Sequence, residues 1–192
     1  MATILMHLYV GKYFKDKYKK ITDLPQYYLG CLYPDSVNAF GSASWEIRYS
    51  AHLRVKDIEQ WYENNNIFYR QNKRKIDEDF LLGYIIHNIT DAAYDKHFAY
   101  IDREDWKRFN QEQCNEEWWV NEVLPALKMA VSVSINDISE TNAKKWLRKI
   151  TDSNYWFDYL EDKPKEITIN MMNELSDIVY KIVYGYINAC NK

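Results

Sequence analysis

The scarcity of chain-breaking residues restricts the fold of this chain more than any other sequence feature. Only five glycines and four prolines occur in 192 residues. Sandwiches and barrels need many turns, and those turns are usually built with glycine or proline. Apolar residues instead recur at helical spacing, and strand-like alternation is nowhere sustained. The sequence therefore predicts an all-α fold, a bundle of about seven to nine helices.

Apolar spacing and capping residues predict where the helices lie. They run from about 3 to 19, from Thr22 or Asp23 to about Cys31, from 55 to about 75, from Asp77 or Asp79 to about 98, from 103 to 131, from Ser139 or Thr141 through Trp146, and from about 166 to 189. Pro34 and Gly41 predict an irregular connection over residues 32–50. Pro125 predicts a kink or break in the segment that contains it.

One helical segment stands out because it is apolar on most sides. Residues 80–98 read FLLGYIIHNITDAAYDKHF, which predicts a buried central helix. With 47% hydrophobic residues, a chain of 192 residues can bury one core. We therefore expect a single helical domain over residues 1–192.

Charge, cysteine usage and hydropathy exclude several classes of protein. A net charge of −3 gives no reason to expect a nucleic-acid partner. The three cysteines, Cys31, Cys114 and Cys190, are widely scattered, which favours a reducing compartment over a disulfide framework. The first lysines follow the amino-terminal apolar run, unlike a signal peptide, and no apolar stretch reaches about 18 residues. We expect a cytoplasmic protein without a transmembrane segment.

The central helix carries a histidine and an aspartate at metal-binding spacing. His87 and Asp91 are four residues apart, so both side chains project from one face of the helix. Gly83 lies one turn earlier and leaves room for another backbone or for a metal ion. Such a pair is more often a hydrogen-bonded pair than a metal site. In so apolar a helix, however, both groups need a strong partner, and a divalent cation is one.

Three further residues in the first hundred could complete a metal site. Asp35 follows Pro34, His52 precedes the predicted helix at 55, and His7 lies on the apolar face of the first helix. Taken singly, such residues are usually turn, cap or core residues. Together they supply nitrogen and oxygen ligands of the kind that zinc or iron accepts.

The order of these residues resembles a known family. In chain order the motif reads His7, Pro34-Asp35, Ser50-Ala51-His52, and Gly83-Tyr84-x-x-His87-x3-Asp91-x5-His97. This pattern is similar to that of the zinc-dependent phospholipase C family, over about residues 1–100 of this chain. Secreted members of that family are all-helical and hold three zinc ions in a cleft. We find no recognisable motif in residues 100–192.

The resemblance implies a role for each residue of the motif. It implies four ligands of one metal ion: Asp35, His52, His87 and Asp91. It further implies that His7 binds a second ion, with Asp91 bridging the two. His97 would be the first ligand of a third ion.

The chain departs from the family pattern at the third ion. Secreted members complete that site with a later His-x3-Glu pair, but no histidine follows His97 here. Glu116, Glu117 or Glu122 would have to replace that pair. Secreted members also bind metal through a mature amino-terminal tryptophan, whereas Met6 precedes the motif in this chain. We therefore expect about one or two ions rather than three, zinc above iron or manganese.

A centre of this kind would hydrolyse phosphoesters. The resemblance implies a phospholipase C-like hydrolase whose Asp35 orients or deprotonates the attacking water, acting on a small phosphoester or a phospholipid-like substrate. The alternative is a non-catalytic metal-binding or interaction protein that keeps the helical scaffold with an incomplete metal cluster. A helical phosphohydrolase of the His-Asp type is a further option, but the chain has no adjacent His-Asp pair. It also lacks a glycine-rich phosphate loop.

Overall fold

The helices of this chain pack around one long central helix. In a computed structural model, residues 2–101, 105, 109–110, 112–135, 138–152 and 168–190 are described. Their α-helices are α1 (Ile4–Tyr18), α2 (Leu24–Gly30), α3 (Trp45–Ala51), α4 (Ile58–Asn72), α5 (Glu78–His97), α6 (Leu124–Met129), α7 (Glu140–Ile150) and α8 (Ile169–Cys190). A 3₁₀ helix spans Tyr33–Asn38 and a π-helical turn spans Trp119–Val123. These ranges contain no strand, so the all-α prediction is confirmed.

Helix α5 is the centre of the bundle. Every residue from Asp79 to Tyr94 is buried, because α1, α2, α4 and α8 all pack against this helix. Asp77 caps it by accepting a hydrogen bond from the Phe80 backbone N–H at 2.8 Å. The prediction of a buried central helix over 80–98 is confirmed. Among the described helices, none combines the length and apolar character that crossing a bilayer requires.

Helices α2 and α5 touch backbone to backbone. A Cβ atom on Gly83 would lie 2.1 Å from the Tyr27 carbonyl oxygen, and one on Gly30 would lie 2.1 Å from the Phe80 carbonyl oxygen. Gly83 therefore leaves room for another backbone, one of the two roles that its place in the sequence suggested. The close packing brings the end of α2, at Cys31, beside His87 of α5.

The prediction of an irregular connection over residues 32–50 was wrong. A 3₁₀ helix with Pro34 in its first turn is followed by helix α3. Ser44 caps α3, since its hydroxyl accepts a hydrogen bond from the Ile47 backbone N–H at 3.4 Å. The chain breakers lie at 34 and 41, so residues 45–51 are free to form a helix. His52 directly follows α3 as its C-cap, so this helix sets the position of that histidine.

The later helices agree with the sequence only in part. A turn at residues 114–116 interrupts the predicted 103–131 helix. Pro125 lies in the first turn of α6, directly after the π-helical turn Trp119–Val123, so the predicted kink or break corresponds to this change from π-helical to α-helical geometry. Trp106, assigned to the 103–131 helix, lies outside the described residues, as do positions 166–167 at the predicted start of the last helix. Ser139 caps α7, one of the two starts predicted.

Candidate metal centre

Four separate elements deliver side chains to one point in the interior. The residues that meet there are His7 of α1, Asp35 of the 3₁₀ helix, His52 at the end of α3, and His87 and Asp91 of α5. Four of these side chains are 0–1% exposed, and only Asp35, at 17%, reaches solvent. Five of the six residues singled out in the sequence therefore lie together.

The histidines His52 and His87 face each other through their Nε2 atoms, which are 3.2 Å apart. Each ring is held by its other nitrogen. His87 Nδ1 donates to the Cys31 carbonyl at 2.8 Å, and His52 Nδ1 donates to the Arg48 carbonyl at 2.7 Å. A carbonyl can only accept, so both Nδ1 atoms carry a proton, and each ring presents a lone pair at Nε2 whenever it is neutral. Two facing lone pairs repel unless a proton or a metal ion lies beside them.

His7 lies on the other side of His87. Their rings stack with centroids 3.6 Å apart and planes inclined by 13°. His7 Nε2 is 3.4 Å from Asp91 Oδ1, which also accepts a hydrogen bond from the Ala2 backbone N–H at 2.6 Å. Both His7 nitrogens and Asp91 Oδ2 are buried and form no hydrogen bond with the described residues. Buried polar atoms without partners are uncommon, and an ion-binding site explains them.

The ligand atoms form two overlapping groups. His7, His87 and Asp91 make one group, and Asp35, His52 and His87 make the other, with the ligand atoms of each group within 4.8 Å of one another. Asp91 Oδ2 also lies 3.6 Å from His52 Nε2, so it approaches both groups. Buried groups of this kind could hold a metal ion.

Electrostatics sets the protonation states of these side chains. Burial alone would raise the pKa of Asp91, but the charge of the neighbouring His7, whose Nε2 lies 3.4 Å from Asp91 Oδ1, outweighs it and holds this pKa far below its usual range. Burial is likewise outweighed at Asp35, whose pKa is lowered by a hydrogen bond from His52. Burial, then the charge of His7, lowers the pKa of His87 to about 3. The site therefore presents two carboxylates and a neutral imidazole.

His52 responds in the opposite direction. Burial would lower its pKa, but the hydrogen bond to Asp35 and the charges of Asp91 and Asp35 raise it. A proton on His52 Nε2 can thus occupy the space between His52 and His87 when no ion is bound. Metal binding would displace that proton, as expected where imidazole nitrogens are the ligands.

The structure does not bring His97, the predicted first ligand of a third ion, to this centre. It lies ten residues beyond His87 on the exposed end of α5, with its ring beside Phe98. The acids proposed to help it lie elsewhere. Glu116 and Glu117 are exposed, and Glu122 binds Lys15 Nζ at 2.8 Å. Within the described ranges, these residues assemble no third group of ligands.

Sequence reasoning missed the residues that orient the ligands. The carbonyls of Cys31 and Arg48 have no sequence signature, because any residue could supply them. Asn110 was missed for another reason. Its side-chain oxygen accepts hydrogen bonds from the Thr3 hydroxyl at 2.7 Å and the Leu5 backbone N–H at 3.3 Å, which ties down the start of α1. This contact spans 107 residues, and local spacing cannot indicate it.

Comparison with known proteins assigns no function to this chain, so a functional assignment depends on the chemistry of the site. No protein-family model, no curated protein and no solved structure matches this chain. The resemblance to zinc-dependent phospholipase C stays a prediction that depends on the spacing of six residues in the first hundred.

Proposed function

We propose that this chain is a metal-dependent phosphoester hydrolase of the phospholipase C kind. The observation that supports it best is the pair formed by His52 and His87. Their Nε2 atoms lie 3.2 Å apart while both Nδ1 atoms are anchored on backbone carbonyls. Metal-binding histidines usually donate their second nitrogen in this way, which fixes the tautomer and the ring orientation.

The donor set favours zinc. Three imidazoles and two carboxylates offer the nitrogen and oxygen ligands typical of zinc sites, and iron or manganese would also accept them. No lysine or arginine of the described residues pairs with Asp35 or Asp91. The balancing positive charge therefore comes from the amino terminus, whose charge also lowers the pKa of Asp91, from imidazole protons or from a bound cation. Two overlapping ligand groups suit about one or two ions.

Such a site suits attack by water on phosphorus. When bound there, a divalent metal would lower the pKa of a coordinated water toward about 7 and neutralise charge on phosphoryl oxygens. The other requirement is a base within reach of solvent. Asp35 meets it, since it is ionised and is the one ligand partly open to water. We assign Asp35 as the residue that orients the attacking water and accepts its proton.

The substrate class follows from the chemistry and the resemblance. We propose a small phosphoester or a phospholipid-like molecule rather than a nucleic acid, because the chain carries a net charge of −3.

One observation favours a second candidate function, a metal ion that only supports the fold. His7, His52, His87 and Asp91 are 0–1% exposed, and catalytic sites usually keep an open position. In this alternative the protein binds metal and does not turn over a phosphoester.

Two measurements test the proposal. Metal content is measured by elemental mass spectrometry on the wild type and on the His87→Ala and Asp91→Ala variants. His97→Ala is the matched control, since it removes an exposed histidine from the same helix. We expect about one or two equivalents of zinc, iron or manganese in the wild type and in the control, and a loss in both ligand variants. A wild type that stays metal-free after remetallation would overturn both functions.

Hydrolysis of bis(p-nitrophenyl) phosphate then separates the two candidates. We expect metal-dependent turnover in the wild type and a loss of about 100-fold or more in Asp35→Asn, which lacks the base. Metal binding without turnover of this or any other phosphoester in a substrate screen would favour the supporting role.

A further inference from the structure

His52 lies in an unusual backbone segment. It directly follows α3 as its C-cap, and Leu53 comes next with φ of 51°, in the left-handed region that leucine rarely adopts. A conformation of this kind is unfavourable for a non-glycine residue and persists only where the surroundings enforce it. Neighbouring residues must therefore enforce the conformation of Leu53.

Three side chains from neighbouring helices hold the carbonyls of this segment. The Tyr84 hydroxyl donates to the Ala51 carbonyl. Trp61 Nε1 donates to the His52 carbonyl at 2.8 Å. Asn64 Nδ2 donates to the Leu53 carbonyl at 3.4 Å. Of these, Trp61 acts on the ligand residue itself.

Trp61 begins a buried hydrogen-bonded chain that runs toward the second ligand. Asn65 Nδ2 donates to the Trp61 carbonyl at 2.9 Å, and Asn88 Nδ2 donates to Asn65 Oδ1 at 3.0 Å. Asn88 directly follows His87. Trp61 is 1% exposed, and the two asparagines are fully buried. The Trp61–Asn65–Asn88 chain thus connects the backbones of His52 and His87 through α4.

We propose that Trp61, Asn65 and Asn88 are positioning residues that set the separation of the His52 and His87 Nε2 atoms, and through it the affinity for metal. The metal part of this inference rests on the proposed function. None of the three side chains is itself a metal ligand in the two groups. They act through the backbones of the ligand residues.

A role in packing alone does not account for these residues. Burying polar side chains is costly unless every polar atom is satisfied, and apolar residues of similar shape would fill the same space. Within the part of the chain that the structure describes, the Asn88 Oδ1 atom has no hydrogen-bond partner. A buried polar chain that is incompletely satisfied costs stability, so the stability of packing does not explain it.

The test replaces the tryptophan donor and leaves an aromatic ring. Trp61→Phe removes the Nε1–H that holds His52, and Trp146→Phe is the matched control, because buried Trp146 Nε1 has no hydrogen-bond partner among the described residues. Zinc affinity is measured by competition with a chromophoric chelator. We expect a loss of about 10–100-fold in Trp61→Phe and less than about 2-fold in the control. The visible spectrum of the cobalt-loaded protein should change only in Trp61→Phe.

A second variant and a measurement on metal-free protein distinguish a change in the position of His52 from a folding defect. Asn65→Leu breaks the chain at its middle, and we expect a smaller loss of zinc affinity in the same direction. The imidazole ¹⁵N shifts of His52 in metal-free protein should change in both variants and stay as in the wild type in the control. Equal zinc affinity and unchanged His52 shifts in folded Trp61→Phe would overturn the inference. A wild type without zinc affinity would instead overturn the proposed function, and the ¹⁵N shifts would still report on positioning.

Discussion

Helices α5 and α8 pack against each other but bury very different side chains. The buried residues of α8 are Met171, Met172, Leu175, Ser176, Val179, Val183 and Ile187. The polar member, Ser176, donates its hydroxyl to the Met172 carbonyl within the same helix. α5 instead buries His87 and Asp91, whose partners come from distant elements. The buried face of α8 thus serves packing, whereas α5 also buries two polar side chains, at a cost in stability, that could hold a metal ion.

The largest expected effect is on zinc affinity, which a substitution in α5 should lower and a substitution in α8 should not. Asp91→Asn removes the carboxylate that approaches both ligand groups, and we expect zinc affinity to fall by about 100-fold or more. Val179→Ala in α8 is the comparison and should leave zinc affinity unchanged. The measurement is chelator competition on both folded variants. Equal zinc affinities for Asp91→Asn and Val179→Ala would contradict this difference between α5 and α8.

The next effect concerns the free energy of unfolding, and here a substitution in α8 is expected to have the large effect while metal binding stays unchanged. Leu175→Ala opens a cavity in the apolar interface of α8, and we expect the free energy of unfolding to fall by about 2–5 kcal/mol. Metal content should stay as in the wild type. Urea unfolding in excess chelator gives the free energy, and elemental analysis gives the metal. Loss of metal in this variant would show that α8 also controls the site.

Metal removal gives an effect of similar size. Ligand binding to the folded state stabilises it by about 2.7 kcal/mol when free zinc exceeds its Kd about 100-fold. We expect this difference between zinc-loaded and chelator-treated wild type in urea unfolding. Asp91→Asn should show none, while Leu175→Ala should keep the full difference from its lower baseline. An equal zinc effect in Asp91→Asn would argue for binding elsewhere.

The smallest effects come from one glycine in each helix. A Cβ atom on Gly83 of α5 would meet the Tyr27 carbonyl oxygen at 2.1 Å, so Gly83→Ala should cost about 1–3 kcal/mol. It should also weaken zinc binding, because α2 carries the Cys31 carbonyl that orients His87. A Cβ atom on Gly185 of α8 would meet nothing within 4 Å, so Gly185→Ala should stabilise by about 0.5–1 kcal/mol.

Thermal unfolding and chelator competition on the two alanine variants check this pair. Stabilisation by Gly83→Ala would contradict the close packing of α2 on α5. Destabilisation by Gly185→Ala would mean that α8 meets a neighbour at that point.

Sequence patterns predicted most of the helices because capping and periodicity act over a few residues. Asp77, Ser139 and the apolar spacing of α5 and α8 are examples. The same reasoning failed at α3, where the breakers at 34 and 41 were taken to extend their effect to residue 50. At Pro125 the expected break corresponds to the π-helical turn Trp119–Val123, which disrupts α-helical geometry just before the proline. At α3 the residue types were noted correctly, but their exact positions relative to the helix decided the outcome.

Within the candidate site, two relations follow from helical spacing. His87 and Asp91 share a face because four residues make about one helical turn, and His97, ten residues beyond His87 on the same helix, lies about 15 Å further along it. The other relations depend on packing between elements. The contact of Gly30 and Gly83 brings the Cys31 carbonyl to His87, and the left-handed Leu53 follows the turn that carries His52. Helical spacing is a local property of the chain, whereas distances between elements depend on how their surfaces pack.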